Sequence, residues 1–500
     1  MLFQTLHYAI FLILTVGLYW SAPYKYRLHI LGIASLLFYG SWNWKYLPLL
    51  LLVSMLAWGL GRFVHRKKVN NWVYGFTIFI LFIPLLIFKY WDWMGENIIA
   101  ISSWLNMPVS ISTRKELGII LPVGISFFTF QAISYLVDTR RHGKEENNPW
   151  RFFTFIAFFP QLIAGPIVRQ HELLPQLRRP LLLAKGDIGE ALFRIVKGLV
   201  KKLLFADFLY TSLRLEEIFS DPTVARSPEL WLAIYAYTIW IYYDFSAYTD
   251  IAIGSAKLFG IKLPENFNRP YHTSSVAEFW RKWHITLSNW VRDYIYYPLG
   301  GARADSEWKI YRNIIITMVV IGIWHGASWN FVIYGILHGS AVSFNRIQRK
   351  FTQRRPGDPF DSKLSWFWRF LLTFHFVVLA RILFGTDTLG IAYDYLIGLF
   401  QFDSETLKNF QNAFPLYYTP GHDFSNPENT FSILLQSYLP FALLLLGFAW
   451  HFTPKDWMES IQKSFLSLPA VAQAAIMVLA AALCWKFNND TQLSFAYYQF

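Results

Sequence analysis

Apolar runs long enough to cross a lipid bilayer recur from one end of the chain to the other. A membrane-spanning helix needs about 20 mainly apolar residues, because the hydrocarbon core is roughly 30 Å thick. A soluble fold could not bury so many long apolar segments, and only 15% of the residues are charged, against roughly 25% in soluble proteins. The sequence therefore predicts an all-α polytopic membrane protein and excludes intrinsic disorder, collagen and a coiled coil.

The candidate spans give roughly eleven to thirteen membrane helices, some of them short or re-entrant. They are 2–20, 28–39, 46–60, 72–90, 118–137, 152–167, 188–210, 230–256, 311–324, 329–344, 366–384, 431–450 and 468–485. The longest polar stretch, 401–430, has the length of a loop rather than of a soluble domain. We therefore expect 1–500 to form a single integral membrane domain.

Basic residues cluster in alternate connections between these runs, as in loops that stay on the cytoplasmic side. The clusters lie at 25–27, 62–68, 140–144 and 346–355, whereas the loop 401–430 is acidic. This alternation predicts that both termini are external, with 488–500 as an external tail. It also explains the net charge of +13 without a nucleic-acid partner.

The region from 242 to 338 is too polar for lipid and too apolar for a solvated loop. Ionisable side chains, among them Asp244 and His325, fall within its apolar runs. Such groups are expensive at membrane depth and usually face a protein interior or a wet cavity. Prolines interrupt the helices here, and non-helical backbone at that depth must be sheltered by protein. We therefore expect re-entrant or interfacial pieces around a polar tunnel.

Three histidines of this region are candidates either for chemistry or for helix packing. His325, between Trp324 and Gly326, is a candidate general base, since a neutral imidazole accepts a proton near neutral pH. It is equally a candidate for a buried histidine that hydrogen-bonds between helices. His284, in the stretch RKWH, fits an interfacial anchor as well. His338 is most simply a packing histidine.

Five stretches of the chain resemble the motifs of one family. They are LPVGISFFTFQAISYLVD, FFPQLIAGPIVR, YYDFSAYTDIAIGSAKLFGIKLPENFNRPY, FWRKWHITLSNWVRDYIYYPLGG and GIWHGASWNFVIYGILHG. They occur in the family's order over 121–339, the expected catalytic core. The family is that of the membrane-bound O-acyltransferases, in the bacterial branch with the alginate and peptidoglycan O-acetyltransferases and the D-alanyl transfer protein of teichoic acids. The chain departs from the family's common residues at three positions. Glycine, serine and threonine are common where this chain has Ala247, Thr249 and Asn289.

The resemblance implies a ring of membrane helices around a thin centre that a funnel reaches. It also implies an acyltransferase that moves an acyl group, expected to be acetyl, across the membrane for O-acetylation of an exported polysaccharide or peptidoglycan. The family's catalytic histidine corresponds to His325, and its second motif histidine to His284. The latter would orient the substrate or donate a hydrogen bond to the thioester carbonyl. Asp244, Asn289 and Trp324 are expected to line the tunnel.

The resemblance further implies the partners of such an enzyme. These are membrane lipid, an acyl donor (acetyl-CoA or a carrier-protein thioester) and an extracytoplasmic acetyltransferase of the SGNH type. No permanently bound cofactor and no metal is expected. The chain carries no phosphate-binding glycine loop and no H-E-x-x-H zinc motif. Its single cysteine, Cys484, excludes an internal disulfide.

Two other functions stay open at this stage. D-Alanyl transfer for teichoic-acid modification would differ in the donor, because a carrier protein docks on the cytoplasmic face whereas coenzyme A enters a basic pocket. A transporter would also carry charges within the membrane. It predicts an internal repeat with paired broken helices, whereas the polar motifs of this chain form one central block.

The chain ends in SFAYYQF. Phe495, Tyr497 and Phe500 match an F-x-Y-x-x-F pattern that is similar to a terminal motif in this branch of the family. The tyrosine of that motif is thought to carry the acyl group briefly, which implies Tyr497 as an acyl relay. A phenol is a better leaving group than an alkyl alcohol, so a tyrosyl ester would stay reactive. The alternative is an aromatic anchor at the membrane interface.

Overall fold

The computed structural model describes residues 2–184, 186–352, 362–402, 427–486 and 495, without the side chains of 427–437, 481 and 483–486. Within these ranges the protein is all-α, with no strand. The α-helices are α1 Leu6–Ser21, α2 Tyr24–Asn43, α3 Leu47–Lys67, α4 Asn71–Leu85, α5 Trp91–Trp104, α6 Ile125–His142, α7 Pro149–Ala157, α8 Gln170–Leu177, α9 Asp187–Val200, α10 Phe208–Ser212, α11 Leu215–Ser220, α12 Ser227–Lys257, α13 Val276–Lys282, α14 Ile285–Val291, α15 Glu307–His325, α16 Trp329–Phe351, α17 Lys363–Gly385, α18 Leu389–Gly398, α19 Pro427–Phe452, α20 Lys455–Ser467 and α21 Ala470–Lys486.

Three π-helical turns extend or join these helices. Leu86–Tyr90 joins α4 to α5, Lys201–Asp207 joins α9 to α10, and Arg292–Tyr296 follows α14. A π turn inside an α-helix is rare and is frequent at functional sites. The turns Leu86–Tyr90 and Lys201–Asp207, which interrupt long helices, are therefore candidate parts of a functional site.

Three segments of the described chain are long and apolar enough to cross a membrane, by length and composition alone. They are Tyr24–Lys67, Asn71–Trp104 and Lys363–Gly385. Three further helices are apolar but shorter, at Leu6–Ser21, Tyr438–Phe452 and Ala470–Ala480. The predicted all-α polytopic membrane fold is confirmed. The number of spans, eleven to thirteen, stays a prediction.

Some helix boundaries differ from the apolar runs for local reasons. The run 72–90 continues as helix to Trp104, and Asp92, just beyond the run, pairs with Arg114 (Oδ2 to Nε, 2.8 Å). The run 118–137 becomes helical only at Ile125, after Gly124, whose φ of 78° is left-handed. The run 152–167 is helical only as far as Ala157.

The long helix α12 lies at the centre of the fold. Every side chain from Ala236 to Ala256 is buried, as expected for a helix surrounded by protein. It packs closely on α9, since a Cβ at Gly254 would lie 2.7 Å from the Ala191 carbonyl oxygen. Small residues of this kind let helix backbones approach within membranes. The polar residues of α12 are thus kept inside protein.

Candidate functional site

The site is built where α15 and α16 meet in a tight antiparallel pair. A Cβ at Gly322 would lie 2.0 Å from the carbonyl oxygen of Phe331, and one at Gly326 would lie 1.9 Å from the ring of the same residue. Glycine is therefore required at both positions. The close approach places His325, the last residue of α15, inside the protein with 1% of its surface exposed.

Aromatic rings surround the imidazole of His325. Its ring centroid lies 5.1 Å from those of Trp324 and Phe384, and 6.5 Å from those of Phe331 and Tyr334. These rings shield the imidazole from lipid and strengthen any electrostatic interaction made there. The neighbourhood suits a side chain that accepts a proton in a dry, shaped space.

His284 is fully buried and caps the start of α14 in a left-handed conformation, with a φ of 42°. The oxygen Oδ1 of Asn266 accepts from the Thr286 amide (3.3 Å) and hydroxyl (2.9 Å), which identifies this atom as the amide oxygen. The same oxygen lies 3.0 Å from Nδ1 of His284. A neutral His284 therefore carries its proton on Nδ1 and presents Nε2 as an acceptor.

The structure brings His284 and His325 together at Trp324. The Trp324 ring centroid lies 5.5 Å from that of His284 and 5.1 Å from that of His325. The two histidines come from different segments of the chain and pack against one indole. A small gap of about 20 Å³, with Lys89, Gly124, Trp324 and His325 in its wall, lies beside His325.

A first large cavity, here called the Lys89 cavity, has a volume of about 450 Å³. It borders the connection that follows His325, and it shares Lys89 and Leu121 with the small gap. Aromatic and charged side chains mix in its wall. They include Lys89, Arg114, Tyr237, Trp240, Phe331 and Asp387.

A second cavity of about 460 Å³, here called the Asp250 cavity, lies towards His284. Its wall includes Ile285, which directly follows His284 in sequence. Its wall also includes Phe267, whose ring packs on Phe245, and the Phe245 ring packs in turn on His284. Five cationic side chains face three anionic ones there. They are Arg194, Lys197, Lys201, Arg269 and Lys455, against Asp250, Glu265 and Glu459.

Asp250 organises the cations of the Asp250 cavity. Its carboxylate contacts Arg194 (3.0 Å), Lys197 (3.1 Å) and Lys201 (2.7 Å) while only 6% of it is exposed. Arg194 also pairs with Glu265, but the five cations of the wall still outnumber its three carboxylates, so this cavity keeps an excess of positive charge. Such a surface attracts phosphate or another anion.

The tunnel-lining residues predicted from the sequence lie in different places. Trp324 borders the small gap beside His325. Asp244 is buried and bonded to Lys202 (Oδ1 to Nζ, 2.6 Å), and Asn289 is half-buried in α14. The roles of these three residues stay predictions. His338 is fully buried and accepts a hydrogen bond from Trp280 (Nε1 to Nδ1, 3.1 Å), a packing arrangement.

The predicted relay Tyr497 lies outside the described residues, as do most of the loop 401–430 and the side chain of Cys484. The one described residue of the tail is Phe495, which is 1% exposed. Its ring meets Tyr248 edge-on at 4.7 Å, and the Nζ of Lys202 lies 4.3 Å from the ring centroid. Phe495 is thus inside the protein, against α12, rather than at its surface.

Sequence reasoning missed three buried polar residues around the histidines. They are Lys89, Arg381 and Asn266, exposed by 5%, 1% and 0%. The guanidinium of Arg381 lies 4.3 Å above the Trp283 ring. Lys89 and Arg381 each stand as a cation inside an apolar run, and that signal alone marks a functional candidate. Asn266 carried no such signal.

The comparisons with known proteins identify the family of the chain. The model of the membrane-bound O-acyltransferase family matches residues 98–386, more than half of the chain, including His284, Trp324 and His325. Lys89, Asp387 and the Asp250-cavity residues after 386 lie outside the match. The chain belongs to the membrane-bound O-acyltransferase family. It is therefore an acyltransferase and a membrane protein.

Several relatives of this acyltransferase cover most of its length. A probable alginate O-acetylase AlgI from Azotobacter vinelandii is 35% identical over 81% of this chain and 79% of its own. The peptidoglycan O-acetyltransferase of Helicobacter pylori is 38% identical over 74% of this chain and 73% of its own. The teichoic acid D-alanyltransferase of Bacillus subtilis is 24% identical over 72% of this chain and 87% of its own.

Proposed function

We propose that this acyltransferase takes an acetyl group from a cytoplasmic thioester, acetyl-CoA, and passes it across the membrane for O-acetylation of a cell-surface polysaccharide or peptidoglycan. The observation that carries the proposal is the meeting of His284 and His325 at Trp324, with a polar cavity next to each. The identities of 35% and 38% to the two O-acetylating relatives support acetyl as the group.

The positions of the two cavities along α12 support transfer from one side to the other. Trp240 borders the Lys89 cavity, and Asp250 borders the other. The Asp250 cavity begins at Tyr242, close to Trp240, and extends along α12 as far as Asp250, about 15 Å of helix beyond Trp240. Donor and acceptor can therefore approach the histidine pair from opposite directions while the membrane stays sealed around them.

The proposed chemical step uses the imidazole of His325 as the base. It takes the proton of the acceptor hydroxyl while the hydroxyl oxygen attacks the thioester carbonyl carbon. The carbon–sulfur bond then breaks, and the leaving thiolate takes the proton from the imidazolium. His284 presents Nε2 as an acceptor and keeps its proton on Nδ1, from which it donates to Oδ1 of Asn266. The neutral side chain is therefore suited to orienting a hydroxyl or thiol rather than to donating to the carbonyl.

The Asp250 cavity supports coenzyme A as the carrier of the acetyl group. Coenzyme A bears several phosphates, and the cations around Asp250 outnumber the carboxylates. Arginine and lysine are the side chains that bind phosphate most strongly. We assign the nucleotide end of the donor to this cavity and the thioester to the neighbourhood of His284.

Vesicles of known orientation test the donor and the direction together. Purified protein is reconstituted and given acetyl-labelled coenzyme A on the side of the basic loops, with polysaccharide or peptidoglycan acceptors and an SGNH-type acetyltransferase inside. The proposal expects label on the luminal acceptor. Label that arrives only from a carrier-protein thioester would favour D-alanyl-type donation, and label that stays on the donor side would contradict transfer across the membrane.

We further propose that Tyr497 is the first acceptor and passes the acetyl group to that partner. The burial of Phe495 against Tyr248 supports a tail that enters the protein, in place of a purely interfacial anchor. Tyr497→Phe keeps the aromatic ring and removes the hydroxyl oxygen. If Tyr497 is a relay, this variant should abolish transfer; if it is only an interfacial anchor, transfer should be unchanged. Tyr498→Phe is the matched control and should be silent. Normal acylation by Tyr497→Phe would rule out the relay.

A further inference from the structure

The last four carbonyl groups of α15, which ends at His325, all have partners. Such carbonyls lack partners within their own helix. Gly322 accepts from the amide of Gly326 at 3.3 Å. The hydroxyl of Tyr90 donates to Ile323 at 2.9 Å, and the ammonium of Lys89 donates to Trp324 at 2.5 Å and to His325 at 3.2 Å.

Two consecutive residues of one π turn thus hold three consecutive carbonyls of another helix. Lys89 and Tyr90 close the turn Leu86–Tyr90, and they lie more than 230 residues from their partners at the end of α15 in sequence. A cation at a helix C-terminus also stabilises the helix dipole. The Lys89 ammonium also lies 5.8 Å from the Trp324 ring centroid, at the outer range of a cation–π interaction with the indole that packs on both histidines.

The π turn is itself held from the other side by a loop. Arg114 donates from its guanidinium to the carbonyl of Phe88 and pairs with Asp92, whose Oδ1 accepts the Arg114 amide at 2.7 Å. The turn is therefore fixed at both of its faces. A movement of His325 relative to α4 and α5 would have to break several of these bonds at once.

An ammonium that is only 5% exposed within an apolar segment is expensive to maintain. Helix ends are commonly satisfied by neutral capping groups or water, which avoid that cost. Lys89 also borders both the small gap beside His325 and the Lys89 cavity. The buried Lys89 ammonium therefore lies next to the place where the imidazole of His325 has to be positioned for acyl transfer.

We propose that Lys89 and Tyr90 are positioning residues for His325. They hold the end of α15 so that the imidazole faces the gap beside Trp324, and they act through the backbone rather than on the reacting atoms. The consequence for catalysis rests on the proposed role of His325 as the base. The clamp itself, meaning the three bonds from Lys89 and Tyr90, can be measured without any activity.

The test uses Lys89→Met, which keeps an unbranched side chain and removes the terminal ammonium, and Tyr90→Phe, which removes one oxygen. Tyr395→Phe is the matched control, because Tyr395 is fully buried and its hydroxyl donates to the Leu230 carbonyl at 2.8 Å, away from α15. Amide hydrogen exchange of 322–326 is measured in detergent, together with kcat and KM for acetyl transfer.

The clamp predicts that Lys89→Met and Tyr90→Phe raise exchange of these amides on the order of tenfold. It also predicts that they lower kcat with KM within about twofold, and that Tyr395→Phe changes neither. Unchanged exchange would overturn the clamp even if kcat fell, since Lys89 would then act directly on the reacting groups. Faster exchange with unchanged kcat would overturn the positioning role. Full activity of His325→Ala would instead contradict the proposed function. The amide hydrogen exchange of 322–326 would still test the clamp independently.

Discussion

His284 and His338 are both fully buried, but their ring nitrogens are used differently. Nδ1 of His284 is held by Asn266, whereas Nδ1 of His338 accepts from Trp280. We expect His284→Ala to lower kcat roughly 10²-fold, because a group that orients the reacting atoms is lost. His338→Gln is the control, since it changes a histidine of equal burial outside the pair. Equal losses per folded molecule in both variants would contradict a special role for His284.

The histidines of the site could be found from sequence, but the residues that hold them could not. His325 and His284 stand in motif stretches with unusual polarity. Lys89 meets His325 across 236 positions of chain, and Asn266 meets His284 across 18. Such contacts depend on how helices pack and on a left-handed turn at a non-glycine residue, and no local pattern encodes either of them.

The pairing of α15 with α16 depends on glycines at their crossing. A Cβ at Gly335 would lie 2.6 Å from the carbonyl oxygen of Met318, which is backbone and cannot rotate away. Gly335→Ala should therefore push the helices apart and reduce both the yield of folded protein and its melting temperature. Gly75→Ala, in α4 with no heavy atom within 4 Å of the added carbon, should change neither. Normal melting of Gly335→Ala would contradict this packing.

Long apolar helices were predictable, and irregular segments were not. The runs 230–256 and 366–384 match α12 and α17 to within a few residues. The run 188–210 conceals the π turn Lys201–Asp207, because an inserted residue leaves hydropathy unchanged. Helix α20 is polar, so the search for apolar runs could not predict it.

The direction of transfer requires that the basic loops face the cytoplasm. Single cysteines in a Cys484→Ser background test this arrangement. Val109 is 49% exposed in the weakly charged loop after α5, and Lys67 is exposed at the end of α3. A membrane-impermeant maleimide should label Val109→Cys in intact cells and label Lys67→Cys only after lysis. The opposite pattern would reverse the orientation of the chain.

Acyl transfer by the whole enzyme depends, in this account, on the imidazole of His325. The most direct measurement is the rate of labelled acetyl transfer by His325→Ala in the oriented vesicles, per molecule of inserted and folded protein. We predict a loss of roughly 10²–10⁴-fold, the contribution of a positioned general base, with an unchanged melting temperature. A rate near that of the unmodified protein would contradict the account.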